Sequence, residues 1–296
     1  MSEAIRLVRD CFARLALGTA ANQPRRRLML PGGSVLHQLA GAFGGYFGSK
    51  VYSTHVKHGA HFFVLLFDAA TAKPLALFDA NHLGQIRTGA ASGAATALMS
   101  RAESSVLGVI GSGFQARTQI EAVLNVRSIQ RTRVWSRDAA RREAFARDCS
   151  AAFQADIQAA ASAQEAVRGA DIVVTATFAK DPVVEAGWIG PGVHINAIGS
   201  NNPARREIPA ELVGKAARVA VDSIEQARQE SGDLLLAWDD EDWSPDRVVE
   251  LQEIAAGKRP GRVYPDEITL FKSNGLGVQD IAVAGYVYER LLAERA

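Results

Sequence analysis

The sequence predicts an α/β protein built from two domains, and three observations lead to this. The chain has 296 residues, which is roughly twice the usual length of one domain. Its first part contains short β-rich runs separated by turn residues, as in an antiparallel sheet. From residue 103 onward, apolar strand-like runs alternate with helical ones, which indicates parallel strands joined by crossover helices.

In the first domain, residues 3–17 place apolar side chains on one helical stripe, and Gly18 is suited to end that helix. Three β-rich runs within residues 44–83 predict an antiparallel sheet. The small-residue segment 85–101 predicts a helix that packs closely against its neighbours. A last amphipathic helix over 278–296 is expected to return to this domain.

The second domain is expected over residues 103–274, where five apolar segments predict strands alternating with helices. These strands are predicted at 106–111, 131–136, 170–177, 193–199 and 217–223. Residues 1–102 and 275–296 then form the α+β domain.

Composition excludes several classes of function. The formal net charge is +1 and basic runs are short, so no footprint for nucleic acid is present. No apolar run is long enough to span a membrane, and the N-terminus does not resemble a signal peptide. Cys11 and Cys149 suit a reducing compartment, and the histidines lack the spacing of a metal site. We therefore expect a soluble, cytoplasmic protein without a metal, a nucleic-acid partner or a membrane contact.

The most specific local motif is a glycine-rich turn that follows the strand at 106–111 and opens a helix. Gly111 permits the tight turn, and Gly113 lets the backbone approach a pyrophosphate at the helix N-terminus. Ala116 replaces the third glycine of such turns. The arrangement predicts a Rossmann-type, dinucleotide-binding domain. The expected cofactor-binding residues of the turn are Gly111, Ser112, Gly113, Phe114, Gln115 and Ala116.

The end of the second strand bears on which dinucleotide binds. NAD-specific sites place an acid there, whereas this chain has Ser136 and Arg137, with Asp138 arriving late. A hydroxyl and a guanidinium suit a 2′-phosphate, so the sequence favours NADPH, with NADH as the alternative. Thr177 and Ser200, at the carboxyl ends of predicted strands, and Thr88 are further expected cofactor contacts.

Several segments together resemble the ornithine cyclodeaminase/μ-crystallin family. They are GSKVYSTH, IRTGAASGAA, GVIGSGFQA, RVWSR, HINAIGSNNPARREI, AVDSIEQARQESGDL and DEITLFKSNGLGVQD, and they follow the family's order. The resemblance implies a homodimer whose α+β domain binds substrate and forms the dimer interface. Members of the family usually have about a dozen more residues, with a first strand, ahead of the helix that here begins at Glu3. This chain departs from the family at that point, and the expected explanations are a misassigned start or a missing edge strand.

The family includes lyases, imine reductases, amino-acid dehydrogenases and a ligand-binding crystallin, so individual residues must decide the reaction. Arg87 resembles the family arginine that binds the substrate carboxylate, a role that suits a bidentate guanidinium. Lys50 resembles the family lysine beside the reacting carbon and nitrogen. Arg26 resembles a further carboxylate contact, although the run Arg25–Arg27 leaves the register open, and an exposed basic strand is the alternative.

Asn201 distinguishes among these reactions. The cyclodeaminase resemblance implies an aspartate here that acts on the amine and on water, and an amide cannot be a general base. Reduction of a cyclic imine mainly requires an oriented carboxylate and a nicotinamide placed against the C=N carbon. We therefore expect Lys50, Arg87 and Asn201 to be the catalytic residues, with Asn201 also binding substrate.

The expected function is NAD(P)H-dependent reduction of a cyclic ketimine. Resemblance implies Δ1-pyrroline-2-carboxylate, reduced to L-proline, or Δ1-piperideine-2-carboxylate, reduced to L-pipecolate. The alternatives are an alanine or other amino-acid dehydrogenase, an ornithine cyclodeaminase, which Asn201 disfavours, and a non-catalytic NADPH-linked binding protein of the crystallin type.

Overall fold

A computed structural model describes residues 1–294 and contains two β-sheets packed around shared helices. The first sheet has five described strands, which are antiparallel and adjacent in chain order. They are β1 (Ala21–Met29), β2 (Val35–Phe43), β3 (Tyr46–His55), β4 (Gly59–Asp68) and β5 (Pro74–Asp79). The sequence predicted β3, β4 and β5 but missed β1 and β2. In β1 only Arg25 is buried, so the strand carries no apolar alternation.

Helix α1 (Ser2–Ala16), helix α2 (Asn81–Met99) and, at the end of the chain, helix α10 (Gly277–Ala293) accompany this sheet. α10 packs directly on β2 and β3, as expected from the sequence. The close approach depends on missing side chains, because a Cβ at Gly48 would lie 3.0 Å from Ile281. Among residues 1–294, no helix combines the length and apolar character that crossing a membrane requires.

The second sheet has eight described strands, all paired in parallel. In chain order they are β6 (Val106–Ile110), β7 (Arg131–Trp135), β8 (Ile157–Ala159), β9 (Ile172–Thr175), β10 (His194–Ala197), β11 (Arg218–Val221), β12 (Val248–Glu250) and β13 (Thr269–Lys272). The five predicted strands are present, which confirms the fold class. β8 and β12 were missed because three residues give no periodic signal, and β13 because it ends in a lysine, Lys272, that is fully buried.

The spatial order of this sheet is β12-β11-β13-β10-β9-β6-β7-β8. The chain moves outward from β6 through β7 and β8, then returns to the other side of β6 with β9. The connecting helices are α3 (Phe114–Val126), α4 (Ala139–Phe153), α5 (Ala163–Val167), α6 (Ala210–Lys215), α7 (Ile224–Glu230), α8 (Gly232–Leu235) and α9 (Leu251–Ala255). A ligand cleft is expected between β6 and β9, where the strand order reverses.

One hydrophobic core joins the two sheets through α2. Ala90 and Ala94 of α2 pack with Phe12 of α1 and with Phe271 of β13 in the same buried cluster. The small side chains of α2 allow this close packing on several sides, as the sequence predicted. Residues on the antiparallel sheet are thereby held at a fixed place relative to the parallel sheet.

Candidate active site

The glycine-rich turn lies at the point where the strand order reverses, between the end of β6 and the start of α3. Gly111 has a φ of 119°, and a Cβ there would lie 2.9 Å from the carbonyl carbon of Ala176. Within residues 1–294, no side chain caps the N-terminus of α3, and a Cβ at Gly113 would meet nothing within 4 Å. Uncapped N–H groups beside open space fit a dinucleotide pyrophosphate.

The end of β7 lies beside this turn. The hydroxyls of Ser112 and Ser136 are 2.8 Å apart, and Arg142 donates to the Ser136 carbonyl at 2.9 Å. Arg137 is exposed. Asp138 caps α4, accepting a hydrogen bond from a backbone N–H of its first turn at 3.0 Å. The acid that follows β7 is therefore engaged in a helix cap, among guanidinium groups.

A buried carboxylate, Glu207, organises the other predicted strand ends. It accepts hydrogen bonds from the backbone N–H and the hydroxyl of Thr177, at 2.6 and 2.7 Å, and from the Gly199 N–H at 2.7 Å. The Ser200 carbonyl accepts from the buried ammonium of Lys272. Burial raises the pKa of Glu207, and the charge of Lys272 opposes this. Hydrogen bonds to Glu207 and from Lys272 therefore hold both strand ends in place.

Three buried charges lie at the centre of the site. Lys50 Nζ donates to Asp280 Oδ1 at 2.9 Å, and Arg87 Nε donates to the same oxygen at 3.2 Å. Lys50 is 3% exposed and Asp280 is not exposed at all. Burial lowers the pKa of Lys50 to about 8, although Asp280 favours its charged form. Lys50 and Arg87, predicted separately, are brought together by an aspartate that the sequence analysis missed.

Two glycines make room for these side chains. A Cβ at Gly84 of α2 would lie 2.9 Å from Lys50 Nζ. A Cβ at Gly275 would lie 3.1 Å from Arg87 Cζ and closer to one guanidinium nitrogen, and its φ of 80° also favours glycine. In contrast, Thr88 donates its hydroxyl to the Gly84 carbonyl within α2, at 2.7 Å, so that donor is occupied by the helix.

The structure places Arg25, rather than Arg26, in this cluster. Arg25 is buried, pairs with Glu230 and donates to the Asn274 carbonyl at 2.7 Å, whereas Arg26 is exposed. The pairing of β1 with β2 shifts register between Gln23 and Arg26, which changes the residue that faces inward. The inward-facing arginine of β1 is therefore Arg25, and not Arg26 as the sequence suggested.

Asn201 lies at the rim of the site. It is exposed, and its backbone carbonyl accepts from Arg27 at 3.1 Å. Arg27 also pairs with Glu230, so this loop is tied to β1 and to α7. The structure therefore places Asn201 between the two sheets rather than among the buried charges.

The charges around Asp280 favour a small anion. Among the described side chains, four cationic groups face three carboxylates, which leaves one positive charge in excess. The cations are Arg25, Arg27, Lys50 and Arg87, and the carboxylates are Asp222, Glu230 and Asp280. Burial raises the pKa of Asp222, and hydrogen bonds from Ser273, Asn274 and Gly275 oppose this. A bound monocarboxylate would bring the net charge of this group of side chains to zero.

Across residues 1–294 there is no group of three His, Cys, Asp or Glu side chains that could hold a metal ion.

Comparison with known proteins gives a family. The model of the ornithine cyclodeaminase/mu-crystallin family matches residues 1–295. A Δ1-pyrroline-2-carboxylate reductase from Bacillus cereus is 40% identical over 232 residues, which cover 78% of this chain and 71% of the relative. The ketimine reductase mu-crystallin of Rattus norvegicus is 38% identical over 226 residues, 76% of this chain and 68% of the relative.

Solved structures agree over nearly the whole chain. The Thermococcus litoralis Δ1-pyrroline-2-carboxylate reductase, in complex with NADH and L-proline, has a TM-score of 0.93 and 34% identity, covering 99% of this chain and 94% of that one. An archaeal alanine dehydrogenase dimer with bound NAD has a TM-score of 0.93 and 33% identity, covering 99% and 92%.

Proposed function

Because the chain belongs to the ornithine cyclodeaminase/mu-crystallin family, we propose that it is an NAD(P)H-dependent reductase of a cyclic ketimine carboxylate. The substrate is Δ1-pyrroline-2-carboxylate, Δ1-piperideine-2-carboxylate or both. The observation that carries the proposal is the buried cluster of Lys50, Arg87 and Asp280, with its excess of one positive charge. A small monoanionic imine fits that charge.

In this proposal the chain's own residues orient the substrate and manage one proton. Arg87 binds the carboxylate, because its guanidinium is held at Nε by Asp280 and at Nη1 by Gln279 and keeps further N–H groups. Arg25 adds positive charge from β1. The Lys50 ammonium lies beside the imine nitrogen and supplies or holds its proton. A bound reduced nicotinamide supplies the hydride that goes to the C=N carbon.

We propose that the dinucleotide lies on the turn Gly111–Ala116 and that NADPH is preferred. The support is local: Ser136 and Arg137 stand where NAD-specific sites carry an acid, and Asp138 is used as the cap of α4. Thr177 and Ser200 lie at neighbouring strand ends and complete the cofactor side of the site.

We also propose that residues 1–102 and 275–296 form the substrate-binding and dimerisation domain, and residues 103–274 the cofactor domain. Lys50, Arg87 and Asp280 all belong to the first part, and the glycine-rich turn to the second. Phe63 and Leu77 lie on the sheet face opposite Lys50 and are 47% and 67% exposed, which supports a homodimer through that face.

A second candidate is an amino-acid dehydrogenase acting on alanine, because the archaeal alanine dehydrogenase matches over 99% of this chain. It would use pyruvate and free ammonia in place of a preformed ring. An ornithine cyclodeaminase is less favoured, since Asn201 cannot act as a base.

Oxidation of the cofactor separates these candidates. We expect rapid loss of NADPH absorbance with Δ1-pyrroline-2-carboxylate, slower loss with NADH, and little loss with pyruvate plus ammonia. A faster reaction with pyruvate and ammonia would favour the alanine dehydrogenase. Tight NADPH binding without turnover of any imine would favour a binding protein, and a preference for NADH would contradict the 2′-phosphate argument.

A further inference from the structure

Three aromatic rings form a continuous stack across the antiparallel sheet. His37 of β2, Tyr52 of β3 and Phe62 of β4 are direct cross-strand partners. The His37 and Tyr52 rings are 4.2 Å apart and parallel within 1°, and the Tyr52 and Phe62 rings are 4.9 Å apart. We call these three residues the aromatic ladder. Because each ring supports the next, the ladder presents a wall with little freedom to move.

The ladder adjoins the charged cluster on the same face of the sheet. Lys50 and Tyr52 are two residues apart on β3, so their side chains project from one face. Lys50 Nζ lies 5.8 Å from the centre of the Tyr52 ring and 5.4 Å from that of Phe62. A substrate whose carboxylate meets Arg87 and whose imine meets Lys50 therefore lies close to the ladder.

The ladder is also uncharged. Its imidazole ring, that of His37, stacks on Tyr52 and lies 2.9 Å from the Thr54 hydroxyl. Burial, together with the charges of Arg27 and Arg25, lowers the pKa of His37 to about 4. At neutral pH the wall thus offers aromatic surface and no second cation, which suits the hydrocarbon part of a substrate.

We propose that the aromatic ladder is the wall against which the substrate ring lies, and that Tyr52 at its centre sets the preferred ring size. This inference rests on the proposed function and adds to it a specificity-determining residue. Because Tyr52 is held from both sides by its stacking partners, it cannot yield to a larger ring. The site therefore discriminates between five- and six-membered cyclic imino acids by contact with this ring.

The test compares Δ1-pyrroline-2-carboxylate with Δ1-piperideine-2-carboxylate in the wild-type protein and in Tyr52→Ala. Removal of the ring leaves space for one more methylene, which is worth about tenfold in specificity. We expect the ratio of kcat/KM, piperideine over pyrroline, to rise about tenfold, with an unchanged Kd for NADPH. Tyr52→Leu, which retains apolar volume, gives the same readout if Tyr52→Ala does not fold.

Tyr46→Ala is the matched control. Tyr46 is also on β3 and on the same face as Lys50, but it packs against Tyr288 of α10. Its variant should leave the substrate ratio within twofold. An unchanged ratio in both Tyr52 variants, or an equal change in Tyr46→Ala, would overturn the role of the ladder. If the wild-type protein reduced neither imine, the proposed function itself would fail, and the ladder with it.

Discussion

At the scale of single residues, Asp280 connects the two proposed substrate contacts, because its Oδ1 atom accepts hydrogen bonds from both Lys50 and Arg87. An unpaired buried ammonium is costly, so the carboxylate keeps Lys50 charged despite its burial. The same carboxylate fixes one edge of the Arg87 guanidinium. Asp280 is therefore a positioning residue that acts through the two groups that meet the substrate.

Asp280→Asn should lower kcat/KM for the imine about 100-fold, since removing one partner of a buried charge pair costs about 3 kcal/mol. It should leave the Kd for NADPH unchanged, because the cofactor turn lies on another sheet. Asp10→Asn removes the partner of Arg14 on the surface of α1 and serves as the control. An Asp280→Asn enzyme within threefold of wild type would remove Asp280 from this role.

The pH dependence of kcat/KM should follow the pKa of Lys50, which is lowered to about 8. The charged form is the one proposed to serve the imine, so kcat/KM should fall as the pH rises through about 8. Lys50→Arg stays charged over this range and should flatten the alkaline limb, whatever its overall rate. If the alkaline limb of the pH profile is the same in Lys50→Arg as in wild type, a group other than Lys50 is responsible for it.

The resemblance selected Lys50 and Arg87 as site residues, and the structure places Asp280 between them and adds Arg25 nearby. Arg25 was obscured by a shift in strand register within a run of three arginines. Asp280 was obscured because a lone acid in an apolar helix looks like any polar position. The available signal was its place in the first turn of that helix, where a carboxylate in a buried segment requires partners.

At the scale of elements, a substitution in the glycine-rich turn can weaken cofactor binding without lowering the stability of the fold. Gly113 has ordinary backbone angles, φ −91° and ψ −172°, and faces open space, so a methyl group there costs little in the protein alone. The same methyl group would occupy the space proposed for the pyrophosphate.

Gly113→Ala should therefore keep the Tm within about 2 °C while weakening NADPH binding at least tenfold. Calorimetry measures both quantities on the same sample. Gly187→Ala, another position where a Cβ would meet nothing within 4 Å, should change neither. A Gly113→Ala protein that binds NADPH like wild type would place the cofactor elsewhere.

Elements with a strong periodic signal were predictable, and short or irregular ones were not. The strands around the glycine-rich turn, β6, β9 and β10, are buried over most of their length, and the sequence predicted all three. The sequence did not predict β1, because its inward-facing residue is an arginine. The burial of that arginine depends on Glu230, a partner on α7 far along the chain. Such tertiary pairing leaves no local pattern.

At the scale of the whole molecule, the exposed outer face of the antiparallel sheet is the proposed dimer interface. Leu77→Glu places a charge on that face, where Leu77 is paired with Leu65 across β4 and β5. Light scattering after size exclusion should give twice the chain mass of 31.6 kDa for wild type and a shift toward the monomer for the variant. A wild-type monomer would refute the dimer.

The proposed reaction transfers hydride from the reduced nicotinamide to the C=N carbon of a cyclic imino acid. The most direct measurement supplies NADPH carrying deuterium at both C4 positions, together with Δ1-pyrroline-2-carboxylate, and examines the product by NMR. We expect L-proline with one deuterium, located at C2, formed at the rate at which the cofactor is oxidised. Proline without deuterium at C2, or no proline while the cofactor is oxidised, would contradict it.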